Sequence, residues 1–153
     1  MQYIKITISN DPANLSVLRE TLDRFGAEQG IPSEALIALH VVLDEIVSNV
    51  IKFAWPEGGA HEVLVRLTVL DTGVEVEVVD DGRPYDPREA PAPEQAAPGS
   101  RPRPGGVGIH MVKQLVDGFE YERVGESNCV RLTKQCIVGA RSQTEGPNDK
   151  RRA

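Results

Sequence analysis

The sequence predicts an α+β fold: one sheet, mixed and mostly antiparallel, with helices on one face, forming a two-layer α/β sandwich. Three observations predict it. Apolar periodicity switches between two and about 3.6 residues in the order strand, two helices, two strands, helix, two strands. The second and third strands, and the last two, lie close enough in sequence to close as hairpins, which makes them antiparallel neighbours. The chain has 153 residues, 40% of them hydrophobic, enough for one domain with a core.

Met1 to Ser9 alternates Tyr3, Lys5 and Thr7 with Ile4, Ile6 and Ile8, and reads as a strand. Asn10 or Asp11 can cap the next helix, and Pro12 suits its first turn. Leu15, Leu18, Leu22 and Phe25 form its apolar stripe, and Gly30 ends it. Pro32-Ser33-Glu34 opens a second helix with the stripe Leu36, Leu39, Leu43, Ile46, Val47 and Val50. Pro56 and Gly58-Gly59 stop it. Glu62 to Leu70 and Val74 to Val79 read as strands joined at Asp71-Thr72-Gly73. Residues 88–104 are rich in Pro, Ala, Gly and Arg and lack apolar periodicity, as expected of a mobile lid inside the domain. Gly106 to Val116 reads as a third helix, and Phe119 to Val124 and Cys129 to Val138 as closing strands. The expected domain is 1–139, and the polar residues 140–153 are expected to form a disordered tail.

Composition narrows the function classes. A net charge of −6 argues against nucleic acid as the main partner, since neutralising phosphates needs a basic face. No apolar run approaches the roughly 20 residues of a membrane span, and the N-terminus lacks a signal-peptide pattern, so a cytoplasmic protein is expected. Cys129 and Cys136 are seven apart in one expected strand, on opposite faces, and should not pair.

Four short pieces carry the chemistry. Glu45 and Asn49 are i and i+4 and project from one helix face. Asn49 can give a neutral oxygen to a hard cation such as Mg2+. Glu45 can take a proton from a nucleophile near a phosphate chain. The competing reading of the pair is a solvated helix edge. Asp80 ends a β-branched strand before Asp81-Gly82, and a carboxylate there can accept the exocyclic amine of adenine, which guanine lacks at that position. Gly82 would let the backbone pass close to the base; an ordinary Asp-Gly turn is the alternative. Tyr85-Asp86-Pro87 reads as an aromatic under a turn. Gly105-Gly106-Val107-Gly108 leads directly into an apolar helix, whose exposed N–H groups and dipole favour phosphate. It is not a Walker loop, and Met111 stands where a Rossmann fingerprint has its third glycine. Together the pieces point to ATP with a metal.

In this order the pieces resemble the GHKL ATPase superfamily, whose nucleotide site is the Bergerat fold. Within it, the chain is most similar to the serine-protein kinases that act as anti-sigma factors in bacterial partner switching. The resemblance rests on Glu45-Ile-Val-Ser-Asn49-Val-Ile-Lys-Phe-Ala-Trp55, Asp80-Asp81-Gly82-Arg83-Pro84-Tyr85-Asp86-Pro87, Gly105-Gly106-Val107-Gly108-Ile109 and the closing Leu132-Thr133-Lys134. It covers roughly residues 3–137. It implies an ATP-dependent serine/threonine protein kinase acting as an anti-sigma factor. Glu45 would be the general base and Asn49 the Mg2+ ligand. Asp80 would hold adenine, helped through water by Thr133, with Gly82 flanking the base. Gly106, Val107 and Gly108 would line the phosphates. The implied partners are an anti-sigma-factor antagonist, phosphorylated on serine, and a sigma factor; a homodimer stays open. Phe53 stands where the family commonly has His. Arg101 and Arg103 in the Pro-rich lid could reach phosphate, but a solvated loop is the better reading of both. Two other readings remain: an ATP-gated binding module that transfers nothing, and a detached histidine-kinase ATP-binding domain.

Overall fold

The computed structural model describes residues 2–90 and 106–139. Most of the expected lid, Gly105 and the expected tail lie outside the described residues. The alternation of Ile4, Ile6 and Ile8 gives strand β1 (Tyr3–Ser9). Asp11 accepts a hydrogen bond from the Ala13 amide at 2.9 Å, and Pro12 opens a 3-10 turn. Helix α1 (Leu15–Gln29) therefore begins three residues after Pro12. It ends at Gly30, whose φ of 70° is the left-handed conformation that glycine tolerates at a helix end.

Helix α2 (Ser33–Phe53) buries Leu39, Val42, Leu43, Ile46 and Val47. It stops three residues before Pro56, because a residue preceding proline disfavours helical ψ. Strands β2 (Glu62–Leu70) and β3 (Gly73–Asp80) form the expected hairpin. Gly73 is needed there, since a Cβ would lie 2.0 Å from the Lys134 carbonyl oxygen. Helix α3 (Gly106–Leu115) is followed by β4 (Gly118–Val124) and β5 (Ser127–Gln135).

The sheet order is β1-β2-β3-β5-β4. Every pairing is antiparallel, so among the described residues the parallel component of a mixed sheet does not occur. Ile8, Val63, Val65, Leu67, Val74, Val76, Val78, Val130 and Leu132 face the helices and form one core with their apolar stripes. At about 25 cal/mol per Å2 of apolar surface, this shared core is the main stabilising contribution.

β5 is the element that departs most from expectation: it begins at Ser127, not Cys129, and ends at Gln135. Val124 pairs with Ser127, leaving a two-residue turn in which Gly125 has φ 57°. Positive φ at the first position of such a turn suits hairpin twist, and glycine supplies it. The tight turn draws Asn128 into the strand, opposite Asp80. Cys129 and Cys136 are both free thiols, and Cys136 lies just beyond β5.

Candidate nucleotide site

The site is built where α2 crosses the end of β3. Ile46, Asn49, Val50 and Phe53 recur at helical spacing and form one wall of a cleft. Asp80, Asn128 and Val130 form its floor, and Arg83, Tyr85 and Pro87 its rim. Phe53 makes the wall apolar, which suits the flat face of a base.

Asp80 is 5% exposed, and its period-two alternation with Val76 and Val78 turns it to the helix side. Asp81 points elsewhere and accepts from Trp55 Nε1 at 3.1 Å. Asp80 Oδ1 accepts from the Gly82 amide and from Asn128 Nδ2, both at 2.9 Å. Among the described residues both bonds land on Oδ1, and Oδ2 is the oxygen left for a ligand. Burial raises the Asp80 pKa above the ordinary carboxylate value, opposed by the two hydrogen bonds and the Arg123 charge. Arg123 Nη1 donates to the Gly82 carbonyl at 2.7 Å and fixes the turn.

Asn49 is 8% exposed, so it is not the solvated helix edge that competes with the ligand reading. Its Nδ2 has no hydrogen-bond partner. A buried amide left unpaired costs roughly 1–3 kcal/mol, which selection tolerates where a ligand completes the site.

Gly82 is required by packing against protein. A Cβ there would lie 2.4 Å from Ala54 Cβ and 2.5 Å from the Ala54 carbonyl oxygen. The close approach lets the Arg83 amide donate to that carbonyl at 2.8 Å, which ties the cleft rim to the end of α2.

Glu45 does not line the cleft. It points at the first turn of α3, where a Cβ on Gly108 would lie 1.8 Å from Glu45 Oε2. Gly106, Val107 and Gly108 are that first turn, whose N–H groups lack intrahelical partners. The glycine box and the carboxylate are thus neighbours, one turn of α2 from Asn49 (i to i+4).

Thr133 is not brought to Asp80. It stands five residues beyond Asn128 on β5, roughly 17 Å along the strand. The odd offset also turns it to the sheet face opposite the helices, where it packs against Gly118. A single water cannot bridge it to a base at Asp80. The polar partner on β5 is Asn128, which the sequence reading missed by starting the strand at Cys129. Counting back from the Gly125 hairpin turn would have placed it.

Known proteins share this chain's fold and family. The chain is 30% identical over 97 residues to the serine/threonine-protein kinase BtrW of Bordetella bronchiseptica, covering 62% of this chain and 67% of that one. It is 23% identical to the serine-protein kinase RsbW of Oceanobacillus iheyensis, covering 75% of each chain. The solved structure of the RsbU and RsbW domains of a Mycobacterium tuberculosis protein superposes with a TM-score of 0.64 at 16% identity. That match covers 88% of this chain and 32% of the longer one. A histidine kinase domain from Erythrobacter litoralis superposes at 0.53 with 18% identity, over 80% of this chain and 59% of that one. At these identities the two structures show the fold alone. The histidine kinase-like ATPase domain family matches residues 8–134, and the chain belongs to that GHKL-type family.

Proposed function

We propose that the protein is an ATP-dependent serine kinase whose substrate is a partner protein of a partner-switching system. The observation that carries the nucleotide half is the cleft: a buried carboxylate with one oxygen engaged, facing an apolar wall that bears an unpaired buried amide. Homology to BtrW and RsbW supports the kinase half. In this reading Asp80 Oδ2 accepts the exocyclic amine of adenine, and Phe53, Val50 and Ile46 cover the base. The first turn of α3, at Gly106, Val107 and Gly108, donates N–H groups to phosphate oxygens. Among the described residues no group of three or more His, Cys, Asp or Glu could hold a metal. Asn49 Oδ1 would be a ligand to Mg2+, which when bound would neutralise phosphate charge.

Glu45 is the proposed general base. The serine hydroxyl of the partner attacks the γ-phosphorus while its proton passes to the Glu45 carboxylate; the bond to the β,γ-bridging oxygen breaks, leaving ADP and phosphoserine. Positioning and charge neutralisation would supply most of the rate. By resemblance, the partner is an anti-sigma-factor antagonist and the protein also sequesters a sigma factor.

The position of Glu45 against Gly108, outside the cleft lining, favours one rival: a module that binds Mg·ATP and a partner but transfers nothing.

Calorimetric titration with Mg·ATP tests the nucleotide site. Wild type should bind, and Asn49→Ala should bind at least about tenfold more weakly while its melting temperature is unchanged or higher, because the replacement removes an unpaired buried amide. Unchanged Mg·ATP affinity in Asn49→Ala would remove Asn49 from the site.

A further inference from the structure

Asn128 is 3% exposed, and its side chain is the hub of the cleft floor. Its Nδ2 donates to Asp80 Oδ1 and to the Arg83 carbonyl, each at 2.9 Å. Its Oδ1 accepts from Tyr121 Oη at 2.5 Å and from the Tyr85 amide at 3.3 Å. A primary amide has two N–H donors and two acceptor sites, and all four are used within the protein. The surroundings also fix which end is nitrogen. A reversed amide would aim its oxygen at a carboxylate and a carbonyl, and its nitrogen at the Tyr85 N–H.

A side chain this occupied has no hydrogen bond to offer a base. It does control Asp80. The carboxylate torsion is broad and roughly twofold, so without a partner neither oxygen is reserved for the ligand. Asn128 engages Oδ1 from the β5 side while the Gly82 amide engages it from the loop. The same amide holds Arg83 and Tyr85, two residues of the cleft rim.

We infer that Asn128 is the positioning residue for base selection, turning Asp80 Oδ2 into the cleft without touching the nucleotide. The inference rests on the nucleotide reading proposed above. It predicts a loss of discrimination, not a uniform loss of affinity.

The test compares ATP with purine riboside 5′-triphosphate, which lacks only the exocyclic amine, by titration of wild type, Asn128→Ala and Asn128→Thr with Mg2+. Wild type should prefer ATP by about 10- to 100-fold, the worth of one hydrogen bond to a charged group. In Asn128→Ala the preference should fall to about threefold or less. Asn128→Thr, which keeps a donor for Asp80, should restore most of it. If Asn128→Ala does not fold, Asn128→Leu fills similar space without hydrogen bonds and should show the same collapse. Variants that weaken both nucleotides in proportion, preserving the wild-type ratio, would make Asn128 merely structural and overturn the inference. Wild type that binds ATP without preferring it would also overturn it, leaving the nucleotide reading intact. Wild type that binds neither nucleotide would sink that reading and this one with it.

Discussion

At the scale of single residues, Asp80 carries opposing demands. Burial disfavours its charge, while its proposed ligand needs that charge to accept an amine. Asp80→Asn separates the two. The amide oxygen that this substitution introduces can accept the same bonds from Gly82 and Asn128, but the new NH2 then faces the adenine amine donor to donor. ATP affinity should fall by about tenfold or more while the fold is kept. The sign of the stability change follows from the raised pKa. A carboxyl with a raised folded-state pKa contributes its full stability below 3.8 and loses it as pH rises through the folded value. An amide in its place does not titrate, so the variant should melt at or above wild type at pH 7, with the gap closing below pH 3.8. Melting curves across pH check this; a variant that is less stable at pH 7 than at pH 3.5, relative to wild type, would contradict it.

At the scale of elements, the proposed transfer chemistry depends on α2 and α3 meeting at Glu45 and Gly108. A methyl group on Gly108 would occupy the place of the Glu45 carboxylate. Gly108→Ala should therefore swing the flexible Glu45 side chain aside at small cost to stability, since glycine also disfavours helix by about 1 kcal/mol relative to alanine. Phosphoryl transfer should drop at least about tenfold while Mg·ATP affinity changes less, which single-turnover and binding measurements on the same variant would separate. Undiminished transfer by Gly108→Ala would mean that Glu45 needs no such berth. The element scale also shows why the sequence was legible where it was. The stripe through Ile46, Val47 and Val50 and the β-branched strand that ends at Asp80 are local patterns with fixed periods, so Asn49 could be put on a helix and Asp80 at a strand end without coordinates. Thr133 and Asn128 depend on register, which one turn residue decides. Starting β5 at Cys129 hid Asn128 in a loop, and a sequence motif, Leu132-Thr133-Lys134, then drew the adenine role to the wrong face of the sheet. Gly82 was legible as a glycine that a close approach requires, but the neighbour proved to be Ala54.

At the scale of the whole molecule, hairpins on either side of α3 made an antiparallel sheet with helices on one face readable from element order alone. The strand order, with β5 inserted between β3 and β4, was not readable from local signals. It arises because β5 pairs with both β3 and β4, which puts the C-terminal hairpin beside Asp80. That insertion gives the cleft its floor. No described helix is long and apolar enough to cross a membrane. Among the described residues the net result is a cleft with a buried carboxylate on its floor, a second carboxylate beside the α3 entry, and homology to serine-protein kinases. The central claim, transfer and not mere binding, is tested most directly by incubating wild type and Glu45→Ala with γ-labelled ATP and Mg2+ in an extract of the native cell, after titration has shown that both bind Mg·ATP. Wild type should place label on a serine of a partner protein, and Glu45→Ala should reduce it about 100-fold or more, within the usual contribution of a general base. Equal labelling by the two proteins, or no labelling by a wild type that binds Mg·ATP, would contradict it.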